Sequence, residues 1–286
     1  IKNFLDLDVD AANCLPTVGS MQGAFASFMI CGHTNKEKDT VLFIDPGFPV
    51  HKFQTKILGL KMESFDIYEY RGEKLREKLE SIFSTGKIHS VLYSNPNNPT
   101  WVCLTDEELK IIGELANKYD VIILEDLAYF GMDFRKDYSH PGVAPFQPTV
   151  GKYTDNYILM LSTSKAFSYA GERCAVLGIS NKLAERRYPD LKEFCGQDIF
   201  VRGIIFGALH PLSSGTSHSA QYAVAGVMKA VNDGTYNYRD DVLEYGEKAK
   251  MMKDAFTSNG FKFTYDEDLG EPIADGFYFT YYYPGF

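Results

Sequence analysis

Apolar residues fall along this chain in two alternating rhythms. Short unbroken runs, Val41 to Ile44, Ile88 to Tyr93, Val121 to Leu124 and Tyr157 to Leu161, each stop at polar or turn-forming residues, the pattern of strands buried on both faces. Between them the spacing is helical. Gly19 to about Cys31 opens on a glycine-serine turn, and Glu73 to Phe83 sets Leu75, Leu79, Ile82 and Phe83 on one face. Thr105 with Glu108 forms a capping box for a helix running through Tyr119, with Leu109, Ile112, Leu115 and Ala116 facing one way. Helical patterns return from Ser217 to Val231 and from Tyr238 to Phe256, and Phe261 to Thr264 and Phe277 to Tyr283 read as further strands. With no repeat or linker interrupting it, this alternation predicts an α/β fold with a doubly wound, mostly parallel sheet and right-handed crossovers.

Composition narrows the function classes. The chain has 286 residues, 23% charged and 45% hydrophobic, which is ordinary for a soluble globular protein. Its net charge of −9 comes with no Lys/Arg-rich run, so nucleic acid is excluded as a partner. No apolar stretch is long enough to span a bilayer and the N-terminus lacks the pattern of a signal peptide, so no membrane association and a cytoplasmic location are expected. Five cysteines without a C-x-x-C spacing and six scattered histidines suggest neither a disulfide framework nor a metal site.

Chemistry gathers at the ends of the strand-like runs. Asn95-Pro96-Asn97-Asn98-Pro99-Thr100 follows one run, Asp126-Leu127-Ala128-Tyr129 another, and Ser162-Thr163-Ser164-Lys165 a third, with Arg173 a little further on. Ligands of open α/β sheets bind at that edge. The Gly19-Ser20-Met21-Gln22 turn adds a helix start, where free N–H groups favour a phosphate. A carboxylate buried at Asp126 needs a cationic partner. Taken singly, each cluster also has an ordinary reading: a capped turn, an Asn/Pro loop, a strand-end acid, a solvated loop lysine, or, for Phe48, a core phenylalanine.

Taken in this order, the clusters resemble the fold type I pyridoxal-phosphate enzymes, the class I/II aminotransferase family, over nearly the whole chain. The resemblance implies pyridoxal 5′-phosphate as cofactor. Its phosphate would lie against Ser20, Met21, Gln22, Ser162 and Arg173, with Ser164 a further candidate, and Phe48 would cover a face of the pyridine. Asn98 and Tyr129 would hold the phenolic O3′, and Asp126 the ring nitrogen. Lys165 would form the Schiff base and, once released, move a proton between Cα and C4′. The implied catalytic residues are thus Lys165, Asp126 and Tyr129.

Trp101 departs from the pattern, standing where glycine is usual, and would either reshape the loop or help line the substrate pocket. The resemblance further implies a large cofactor domain over residues 1–237, and over 238–286 an interdomain helix with the beginning of a smaller α/β domain. It implies a homodimer, with the loop from Ser213 to Ser217 reaching the neighbour's site. Amino acid and 2-oxo acid are the implied substrates. Family members grip the substrate carboxylate with an arginine of the small domain, whereas Arg239 is the last arginine here and lies too early. The chain therefore reads as a fragment with both ends missing, or as incompetent alone, and its choice of amino acid is not legible.

The expected activity is transamination. A lyase or decarboxylase would use the same electron sink, and the cofactor motifs do not separate them. A non-catalytic effector module is a different class, against which intact Lys165 and Asp126 argue. A nicotinamide-binding Rossmann enzyme is disfavoured because no G-x-G-x-x-G follows the first strand.

Overall fold

Strand-forming runs assemble into one sheet in a computed structural model that describes residues 1–273 and 276–285. Its strands are β1 (Cys14–Val18), β2 (Thr40–Asp45), β3 (Lys61–Asp66), β4 (Ile88–Ser94), β5 (Ile122–Leu127), β6 (Tyr157–Ser162) and β7 (Cys174–Ile179), in the order β1-β7-β6-β5-β4-β2-β3. From β3 across to β6 neighbouring strands run parallel. Then β7 reverses, pairing antiparallel with β6 on one side and with the edge strand β1 on the other. This is the doubly wound, mostly parallel sheet expected from the apolar runs.

Pleating sends alternate side chains to opposite faces, and each face has its own core. On one, Leu42, Val91, Tyr93, Ile123 and Leu159 pack against Leu75, Leu79, Leu109 and Leu115 of the helices Glu73–Phe83 and Asp106–Tyr119. On the other, Val41, Phe43, Leu124, Met160 and Leu177 pack against Ala24, Phe28 and Ile30 of the helix Gly19–Cys31, with Phe200 and Ile204 beyond. The Thr105 capping box is present, with both reciprocal bonds, at the start of the Asp106–Tyr119 helix. Its Glu108 is buried and also receives Arg71 at 2.7 and 2.8 Å.

Several elements differ from expectation. The polar stretch Lys61–Asp66 is a strand because it lies at the sheet edge, where only Phe65 is buried. The opposite edge strand β1 carries Pro16, which an edge tolerates. The expected helix from Tyr238 to Phe256 is divided into Tyr238–Val242 and Glu244–Ser258. Instead of a strand from Phe277 to Tyr283 there is a short pairing of Tyr281–Tyr282 with Lys262–Phe263.

Candidate active site

Strand register builds the first part of the site. Val18, the last residue of β1, pairs with Cys174, the first of β7, so Gly19 and Arg173 meet just beyond the ladder. Gly19 has φ 70, and a Cβ added there would lie 2.2 Å from Nη2 of Arg173, so only glycine leaves the guanidinium its place. Gly19 also opens a helix of 13 residues whose start has no side-chain cap bond. A guanidinium over the positive end of a helix is a strong anion site. The capping residue is Val18, so Ser20 lies in the first turn and is not the cap its ordinary reading required.

Neighbouring contacts fix this turn. Gln22 Oε1 accepts from the Val18 N–H at 2.8 Å, while Gln22 Nε2 donates to Ser213 Oγ at 2.7 Å. The loop expected to reach a neighbour is thus tied by Ser213 to its own chain. The Met21 carbonyl accepts from Gln54 Nε2 at 2.8 Å. Ser162 is buried at the end of β6, and its Oγ accepts from the Ser164 N–H at 3.2 Å, shaping the turn that carries Lys165.

The second part lies at the ends of β4 and β5. Asp126 sits within β5, one residue before its end, on the same pleat as Ile122 and Leu124 and only 6% exposed. Its Oδ1 accepts from the Ala128 N–H at 3.1 Å, and its Oδ2 faces His51 Nε2 at 3.4 Å. Among the described residues no lysine or arginine pairs with it, His51 being its one ion-pair partner. Phe48 is 38% exposed, stands edge-on to His51 at 5.7 Å and lines a small cleft with His51, Asp126, Gly47 and Ser94.

Asn98 and Tyr129, assigned to one oxygen by the resemblance, are brought together, with Asn98 Nδ2 donating to Tyr129 Oη at 3.0 Å. Burial first, then Tyr278 and the Asp126 charge, raise the Tyr129 phenol above its ordinary range, so it keeps its proton. Trp101 is fully buried with φ 64, edge-on to Tyr129 at 5.2 Å. A Cβ on Gly276 would lie 1.7 Å from its Cε2, so that glycine is the floor on which the indole rests. Trp101 therefore supports Tyr129 from behind and does not line an open pocket.

Lys165 is half-buried, with Nζ 5.2 Å from the centre of the Phe277 ring. Phe277 also packs on Tyr129 at 6.0 Å, so the amine and the phenol share one aromatic neighbour. Sequence reasoning missed His51 and Gln54. The signal was available in part, since His51 follows Phe48 by almost one helical turn. Missed too was Glu125, whose carboxyl accepts from Tyr93 Oη, Thr149 Oγ1 and the Val150 N–H and is pushed up to about 7 by burial.

Known proteins resemble this chain in sequence and in fold. The family model for aminotransferase class I and II matches residues 3–268, and the chain belongs to that family. It is similar to the glutamate-pyruvate aminotransferase AlaC of Escherichia coli, 28% identical over 247 residues that cover 84% of this chain and 54% of that protein. It is also similar to the cystathionine beta-lyase of Corynebacterium glutamicum, 25% identical over 174 residues covering 60% of this chain and 44% of that one. In fold it matches the crystal structure of aspartate aminotransferase from Thermotoga maritima with a TM-score of 0.67 at 19% identity, over 94% of this chain and 61% of the other. The chain spans about half the length of the curated relatives it matches. Among the described residues no helix is long and apolar enough to cross a membrane, and no cluster of His, Cys, Asp or Glu could hold a metal ion.

Proposed function

We propose that this chain forms the cofactor-holding part of a pyridoxal-phosphate-dependent aminotransferase that exchanges an amino group between an amino acid and a 2-oxo acid. The observation that carries the reading is the convergence at one sheet edge of an arginine over a helix start and a buried carboxylate that, among the described residues, has no lysine or arginine partner. The amide–phenol pair of Asn98 and Tyr129 lies at the same edge. These groups fit the cofactor's chemistry: Arg173 with the turn Ser20, Met21 and Gln22 suits a phosphate, Asp126 a protonated ring nitrogen, and Asn98 with Tyr129 a phenolic oxygen.

When bound, pyridoxal phosphate supplies an electron sink for charge developing at the substrate Cα. The chain's own part is to hold and to move protons. Asp126 would keep a proton on the ring nitrogen, because a carboxylate in so dry a place gains most from a cation. Tyr129 keeps its phenolic proton and can donate it. Lys165 is the candidate for attaching the ring and for carrying the proton between carbon centres. Phe48 would bound one face, and Ser162 and Ser164 shape the turn under the amine while remaining candidates for the phosphate.

The proposal includes the division into a cofactor domain over 1–237 and the start of a smaller one over 238–286. It includes a cytoplasmic homodimer as well. Phe206, Leu212 and Tyr222 are each exposed, Tyr222 at 79%, apolar side chains that a second copy would cover. A sedimentation profile with only monomer in the cofactor-bound state would remove that part.

The main test adds pyridoxal phosphate and records absorbance: a band near the visible edge, abolished by borohydride and absent in Lys165→Ala, is expected. Amino donors with a 2-oxo acid acceptor should then give amino transfer. Similarity to a cystathionine beta-lyase favours one second reading, a lyase or decarboxylase of the same fold, and release of ammonia or pyruvate without amino transfer would select it.

A further inference from the structure

His51 sits between two acceptors, and a third group fixes which acceptors they are. Gln54 Nε2 donates to the Met21 carbonyl at 2.8 Å, so the amide cannot be turned over without setting its oxygen against another oxygen. Gln54 Oε1 therefore faces His51 Nδ1, at 3.4 Å. The other ring nitrogen, Nε2, faces Asp126 Oδ2, also at 3.4 Å. A neutral imidazole has one N–H and one lone pair, so it would set a lone pair against one of these oxygens. Only a ring carrying both protons satisfies the two.

Among the described residues the ring makes no other hydrogen bond. His51 is buried, with Phe28 and Phe48 edge-on to it at 6.1 and 5.7 Å. Lys52 beside it is paired with Asp45, and the Tyr93 hydroxyl donates to Glu125 on the opposite face.

We infer that Gln54 is a positioning residue that keeps His51 protonated on both ring nitrogens, linking the anion-binding turn at Met21 to the carboxylate of Asp126. Asp126 is then already paired with an imidazolium before any ligand arrives. A cationic ring nitrogen would be its second partner, a consequence that rests on the cofactor proposed above. Anchoring of an anion at the Met21 turn and the charge seen by that nitrogen become connected through one amide.

The protonation claim needs no cofactor to test. In the ligand-free protein, labelled with 15N at histidine and examined near neutral pH, both His51 nitrogens should resonate in the protonated range. In Gln54→Leu, Nδ1 should move to the unprotonated range while Nε2 keeps its proton toward Asp126, and Gln54→Glu, which retains an acceptor, should restore both. One unprotonated nitrogen in the wild-type spectrum overturns the inference whether or not a variant folds, and so does an unchanged spectrum in a folded Gln54→Leu. If the wild-type signals are as expected but pyridoxal phosphate gives no borohydride-sensitive band, the functional proposal fails and the role of Gln54 stands.

Discussion

Glu125 and Asp126 are adjacent on β5, both buried and both acidic, yet the pleat sends them to opposite faces of the sheet. Glu125 turns into the core beside the Glu73–Phe83 and Asp106–Tyr119 helices, where hydroxyl and amide donors from its own chain surround it. Asp126 turns toward the Gly19–Cys31 helix and ends near His51, with no lysine or arginine among the described residues to pair it. Residue type does not distinguish them. What differs is the company each carboxyl keeps: Glu125 is enclosed by neutral donors of its own chain, whereas Asp126 faces His51 and lines the cleft beside Phe48.

The largest expected effect separates the two by activity. Under the proposed function, Asp126→Asn should lower kcat/KM by about 100-fold or more, while Glu125→Gln should stay within a few-fold, and steady-state kinetics on both variants decides. Equal losses would erase the contrast between the faces.

Next in size is the ionic cluster on the Glu125 side. Asp268 accepts from Arg135 at 3.0 Å and from Arg71, which is itself nearly inaccessible to solvent. Asp268→Ala leaves that arginine charge short of a partner and should cost roughly 3 kcal/mol, read by urea unfolding, with the cofactor absorbance band retained.

An effect of similar size lies in pH. Burial raises the Glu125 carboxyl from 4.5 to about 7, so the folded state holds this proton where the unfolded chain has released it. Glu125 therefore favours folding most below pH 4.5, and stability should fall as pH rises to about 7, by roughly 3 kcal/mol in full. Glu125→Gln should remove that slope. Subtracting the two unfolding curves isolates it from His89, which burial pushes down to about 3 and whose slope runs the other way. The smallest effect is Thr105→Ala, which removes the helix cap for about 1 kcal/mol without touching the site.

Legibility in the sequence followed the range of the determining interaction. The Thr105 capping box, the helix from Glu73 to Phe83 and the buried parallel strands are encoded locally, by a cap, a period or an apolar run, and all could be read. The edge strand Lys61–Asp66 could not, because its polar residues say nothing of the neighbour that pairs with it. Asn98 and Tyr129 were legible as candidates through motif order, but their mutual bond was not. His51 and Gln54 were missed because their meaning depends on where β5 ends and on the carbonyl of Met21, both remote in the chain. Trp101 invited two readings, and only its contact with Gly276 separates them.

The meeting of Gly19 with Arg173 depends on the pairing of Val18 with Cys174. A slip of β1 by two residues would keep every side chain on its proper face and leave the core almost undisturbed. It would nevertheless carry the helix start away from the guanidinium. Affinity for a small anion at this edge is thus a gauge of strand alignment, able to report an error that hydrophobic packing would tolerate.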